Sequence, residues 1–192
     1  MKTAIATLLA TLVLSATPVA AQTSPATTEM ARMFEADQAI RTGIRPEQYR
    51  DRAFVARMIA GDEARLARTG ELLQQGKLTT ADDLYHAAFI FQHGHGPDEY
   101  LRAHSLAMAA MALGRKDASW IAAATLDRYL QAIGQKQIYG TQYMNAPKTG
   151  PTMEPYDRGL IPDSLRAMLG VPAQGAQQKR LDGMKAPEPA AH

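Results

Sequence analysis

The sequence contains no cysteine, which excludes a disulfide-stapled scaffold, a Cys-ligated zinc module, a thiol enzyme and a lipidated lipoprotein. It also lacks an excess of either charge. With 21 Lys and Arg against 19 Asp and Glu, a formal charge of +2 gives no field able to neutralise many phosphates, and nucleic acid is not expected as a partner. No segment approaches the roughly 20 consecutive apolar residues that a bilayer crossing requires. Ser105, Ser119 and Ser164 stand outside any GxSxG elbow, and no GxxxxGKS loop is present, so nucleophilic serine chemistry and nucleotide phosphates are not indicated. Lys148-Thr149-Gly150 matches a KTG triplet, but its SxxK and SDN companions are missing. No cofactor is implied.

What is present begins with an export signal. Lys2 supplies a positive start, Ala4 to Leu14 form an apolar run of 11 residues, and Val19-Ala20-Ala21 follow the helix breaker Pro18 as a small-residue cleavage site. The pattern predicts cleavage after Ala21 and a periplasmic or secreted protein with no membrane contact thereafter. Residues 22–28 read as a polar spacer, 29–170 as a single helical domain, and 171–192 as a flexible Gln-, Ala- and Pro-rich tail. With 46% hydrophobic residues the domain can bury a real core.

The predicted fold is all-α, an irregular bundle of five to seven helices with a helical-hairpin centre and an extended C-terminal loop. A first helix is expected over 29–41 and a second from Pro46, interrupted at Gly61-Asp62 and resuming to Gln75 with Leu66, Leu72 and Leu73 inward. Thr80 and Asp83 form a shortened capping box before Leu84, Ala87, Ala88 and Phe91. Pro97 opens a further helix whose second half, Leu106 to Leu113, is apolar on all sides and expected to be surrounded by helices. Another runs from about Ala118 to Ile133, closed by Gly134. Beyond it Pro147, Pro151, Pro155 and Pro162 punctuate an extended region, followed by a short helix over 163–169.

The pieces Asp37-Gln38-x-x-Arg41, Gln92-His93, Asp127-Arg128 and Gln137-x-Tyr139-Gly140-Thr141-Gln142, in this order and spacing over residues 37–170, resemble a bacterial domain family of unknown function with a DR…QxYGTQ signature. The resemblance implies a mainly helical domain and points to a polar constellation without naming a reaction. The chain departs from the family pattern at Gly94-His95-Gly96. A weaker likeness, over 94–130, is to one repeat of a Sel1 or tetratricopeptide-like hairpin; no second copy appears near a 34-residue period.

Three histidines, His86, His93 and His104, fall where adjacent helices could bring them together, either as ligand-binding or general-base groups or as helix-end side chains satisfied by carbonyls. His93-Gly94-His95 with Asp82, Asp83 and Asp98 superficially suggests a metal, but Pro97 stands where an HxHxDH pattern needs Asp, and no metal site is predicted. Asp127 and Arg128 lie in an apolar helix, so a buried charge there needs partners, and the loop Gln137, Tyr139, Thr141 and Gln142 can supply them. That loop either staples itself to the helix or lines a pocket. The candidate ligand-binding set is therefore Gln92, His93, His104, Asp127, Arg128, Gln137, Tyr139, Thr141 and Gln142. The expected function is binding of a small polar ligand or a partner protein. One alternative is a hydrolase or transferase with His93 as general base, Asp127 orienting it, and Arg128 or Tyr139 stabilising developing negative charge. The other is a tetratricopeptide-like interaction scaffold.

Overall fold

The computed structural model describes residues 23–185, so the export-signal reading of residues 1–21 lies outside the described residues. The described chain is an all-α bundle of seven helices with one small two-stranded sheet.

Helix α1 (Pro25–Arg41) starts earlier than its composition suggests. The Ser24 hydroxyl accepts from the Thr27 amide at 3.0 Å and Pro25 pre-sets the first turn, so residues 25–28 of the segment expected as a polar spacer are helical. Pro46 opens only a short 3-10 helix (Pro46–Arg50). The next α-helix begins after Asp51, whose carboxylate caps the amides of Ala53 and Phe54. That helix, α2 (Arg52–Gln74), passes through Gly61-Asp62 unbroken. A single glycine costs a helix only about 1 kcal/mol, and here Asp62 is pinned between two arginines.

Helix α3 (Ala81–Phe91) is closed at its start by the Thr80–Asp83 capping box. Asp83 is fully buried, and its Oδ2 also accepts from the Thr27 hydroxyl of α1 at 3.2 Å, so one cap ties two helices together. Helices α4 (Pro97–Ala112) and α5 (Ala118–Ala132) follow, each stopped near a glycine in the left-handed region, Gly114 and Gly134. Contacts of Tyr100 with Arg128 and of His104 with Ala122 set α4 and α5 antiparallel. Alanines 87, 88, 103, 107, 110 and 118 are buried at the crossings, where short side chains let helix axes approach. Contrary to expectation, the apolar second half of α4 is not surrounded. Met108 and Leu113 are exposed, because α4 packs its Ala103, Leu106, Ala107 and Ala110 face on α3 and α5 and none of the described residues covers the other side.

After α5 the chain turns into an irregular loop and a hairpin, β1 (Met144–Ala146) paired antiparallel with β2 (Gly150–Thr152) in the register Met144↔Thr152. Lys148-Thr149 sits in its turn. Helix α6 (Asp163–Met168) lies where the sequence places it. Helix α7 (Gln174–Lys185) occupies part of the segment expected as a tail, whose residues 186–192 lie outside the described residues. Gln177 and Leu181, one turn apart, are buried against Met153 and Tyr156 in a second small core. Two anchoring positions on an otherwise polar helix leave little periodic signal.

Candidate functional site

The sequence-predicted residues divide between two clusters. The first surrounds Asp127. On α5 its carboxylate is fully buried, and both oxygens are occupied. Oδ1 accepts from the amides of Ile138 (2.7 Å) and Tyr139 (2.9 Å), and Oδ2 from the Thr141 amide (2.9 Å) and hydroxyl (2.8 Å). The QxYGTQ loop is thereby wrapped around one carboxylate, as a nest of amides around an anion. Gln137, also fully buried, braces the loop from behind. Its Oε1 accepts from the Gln142 amide, and its Nε2 donates to the carbonyls of Gln142 and Met153. Gln142 Nε2 returns to the Ala124 carbonyl and the Thr141 hydroxyl, both at 3.0 Å.

Two residues that the sequence reading missed complete this knot. Arg166, at 0% exposure the largest fully buried side chain, donates to the carbonyls of Tyr139 and Ile138. Gln177 donates to the Tyr139 carbonyl at 2.7 Å and accepts from the Tyr156 hydroxyl at 2.9 Å. Gly140 sits between them with φ +75°, and a Cβ there would collide with Gln177 Oε1 and the Tyr156 hydroxyl. The QxYGTQ glycine is thus required by both conformation and space. Tyr139 takes part through its backbone. Burial, and then the Asp127 charge, raise the proton affinity of its phenol above the ordinary value.

The other candidates do not join this cluster. Arg128 follows Asp127 by about 100° around the helix, so it points elsewhere, and its guanidinium lies 5.6 Å from the Tyr100 ring centroid. His104 is bound through Nδ1 to the Ala122 carbonyl at 2.9 Å, a tie between α4 and α5. His86 stacks on Phe34, with ring centroids 4.4 Å apart. The three histidines therefore have separate partners and do not converge. Gln92 is buried at the end of α3. His95 is exposed, 3.9 Å from Glu63. Among the described residues no three His, Asp or Glu side chains form a group able to hold a metal.

No hydrogen bond or ion pair links His93 to Asp127, whose oxygens are already occupied; the carboxylate beside His93 is Asp37. Helices α1 and α3 run in the same direction, with Phe34 against His86 and Asp37 against His93 one level further on. Asp37 is 1% exposed. Its Oδ1 accepts from Arg41 at 2.7 Å and lies 3.7 Å from Arg65 Nε, and its Oδ2 accepts from Gln38 at 2.8 Å. Arg41 and Arg65 both reach Asp62, at 2.8 and 2.5 Å, so Asp37, Arg41, Asp62 and Arg65 form a closed ring of alternating charges. His93 Nε2 lies 3.5 Å from Asp37 Oδ2, an ion-pair distance without hydrogen-bond alignment, and is buried with no other partner. The His93 side chain is 19% exposed. Burial raises the proton affinity of the Asp37 carboxyl, but His93, Arg41 and Gln38 together outweigh it and hold the carboxyl below its usual range. The His93 imidazole is thus a partly exposed ring whose Nε2 stands beside a buried carboxylate with its hydrogen bond unmade.

No family model matches the chain, and no curated protein or solved structure matches it.

Proposed function

We propose that this chain is an exported helical domain that binds a small polar ligand where α1, α2 and α3 meet, with His93 as the contact group and Asp37 as its positioning carboxylate. Export rests on the Lys2, Ala4–Leu14 and Val19-Ala20-Ala21 pattern. The observation that carries the binding reading is the His93 imidazole. Its Nε2 is buried against a buried carboxylate without a formed hydrogen bond, while the side chain still reaches solvent. A group that is held but not satisfied is suited to be tightened by a bound partner. Asp127 takes the structural role in this reading, because its four donors leave it no oxygen for a ligand.

Thermal-shift screening of amino acids, organic acids and simple sugars tests this. A stabilising compound should lose its effect in His93→Ala and lose most of it in Asp37→Asn, with His93→Ala itself melting close to the parent. An unfolded His93→Ala protein would assign His93 to the fold and end the proposal.

The His93–Asp37 pair also favours a second reading, a hydrolase or transferase in which His93 removes a proton from water or a hydroxyl and Asp37 replaces Asp127 as the orienting carboxylate. Turnover of a compound that binds, lost in His93→Ala and lowered in Asp37→Asn, would separate catalysis from binding.

A further inference from the structure

A second concavity lies between the QxYGTQ loop, the start of α5 and helix α7. It is a cavity of about 180 Å³ lined by Trp120, Gly140, Thr141, Tyr143, Gln177 and Arg180, with Pro172 and Ala176 at its rim. That volume is below the roughly 300 Å³ at which drug-sized sites begin, and suits a single ring with a small substituent.

The chemistry of the wall narrows the occupant. Trp120 is 40% exposed yet held in place, its indole stacked near Phe89 at 6.2 Å and 22°. It offers a flat apolar platform. The polar groups of the loop are already engaged. The Thr141 hydroxyl donates to Asp127 and accepts from Gln142, and the Gln177 amide is occupied at both ends by Tyr139 and Tyr156. A sugar, which needs several hydrogen-bond partners, would find few. The remaining strong donor is Arg180. Its guanidinium is positioned over the Tyr143 ring at 4.9 Å, and among the described residues it has no carboxylate partner. None of the residues lining the cavity is acidic. A platform, a tyrosine and one unpaired, oriented guanidinium select a planar anion.

We infer that this cavity binds a small aromatic carboxylate, a single ring against Trp120 with its acid group on Arg180. The site is independent of His93 and of the ligand proposed there.

Trp120 is the chain's one tryptophan, so its fluorescence reads this site without interference. The full chain is titrated with benzoate, benzyl alcohol and benzamidine, which share the ring and differ in charge. The expected result is a saturable change in indole emission with benzoate, with benzyl alcohol and benzamidine at least roughly ten-fold weaker. Arg180→Gln, at an exposed position, should remove that preference by a similar factor, and Ala176→Leu should block all three ligands by filling the rim. His93→Ala should leave the titration unchanged, which separates this site from the first. Absence of saturation, equal responses to the three probes, or an Arg180→Gln variant that still prefers benzoate would each overturn the assignment.

Discussion

Thr141 binds Asp127 twice, its amide at 2.9 Å and its hydroxyl at 2.8 Å converging on the same oxygen, Oδ2. A loop residue is thereby locked to a helix by two bonds at one point, and with the Ile138 and Tyr139 amides on Oδ1 the buried carboxylate has both oxygens filled. This pairing gives the QxYGTQ segment its shape and marks Asp127 as the anchor of the C-terminal half.

Removing the anchor should be far more damaging than trimming one contact. Asp127→Ala leaves three amides and a hydroxyl without their acceptor and is expected to cost about 3 kcal/mol or more, against about 1 kcal/mol for Thr141→Val. The two substitutions together should cost less than their sum, because they share one network. Urea denaturation of the singles and the double checks both points.

Within the same loop, side-chain and backbone roles separate cleanly. Tyr139→Phe keeps every hydrogen bond that the residue makes in the knot, all of them through its backbone, and should change stability by under about 0.5 kcal/mol. Gly140→Ala imposes a side chain at φ +75° and drives its Cβ into Gln177 and Tyr156, a loss of more than about 2 kcal/mol. Thermal melts of the two variants should lie well apart, and a damaging Tyr139→Phe would show that the phenol, as well as the backbone, holds the fold.

Helix α7 should behave as part of the fold. Leu181→Ala, which empties a buried position beside Met153 and Tyr156, is expected to cost about 2–3 kcal/mol. Substitution of the exposed Gln178 by Ala should be nearly silent. Equal, negligible effects on the melting temperature would remove α7 from the core.

Two groups give the stability a defined pH dependence. The Asp37 carboxyl is held below its usual range in the fold, so its contribution is fully present above about pH 4 and is lost as pH falls through the lowered folded value. Asp37→Asn should flatten the acid limb of a stability profile. For His86, burial against Phe34 pushes the imidazole down; Asp82, Asp83 and Glu35 pull it up, Arg115 pushes it down, and the net shift is downward. A base with a lowered folded value also stabilises above its unfolded value and loses that contribution as pH falls below about 6.5. The melting temperature should therefore drop between about pH 7.5 and 5.5, and His86→Phe should remove part of that drop.

The helical centre was legible because its signals are local. The Thr80–Asp83 box, Pro97 at a first turn, and Gly114 and Gly134 as stops each fix an end of α3, α4 or α5 by short-range geometry. The demand that a charge in the apolar α5 must find partners in the following loop was legible too, since desolvation alone imposes it. What the sequence hid depends on tertiary pairing. Asp127 and His93 are plausible partners by residue type, but α1 brings Asp37 to His93, and no periodicity reports which helices run side by side. Arg166 and Gln177 lie in short or polar helices where a buried arginine or glutamine has the same local surroundings as an exposed one. Asp37 and Arg41, four residues apart, and Asp62 and Arg65, three apart, each carry half of the charge ring at helical spacing, but nothing local joins the two halves.

The closure of Arg166 and Gln177 over the Tyr139 carbonyl has a consequence for how the molecule is assembled. Both follow the 137–142 segment in the chain, so a polypeptide emerging from its N-terminal end presents that segment with its carbonyls bare until α6 and α7 arrive. A chain ending before α6 would leave the Ile138 and Tyr139 carbonyls without these donors, an unpaired polar seam where the complete fold is closed.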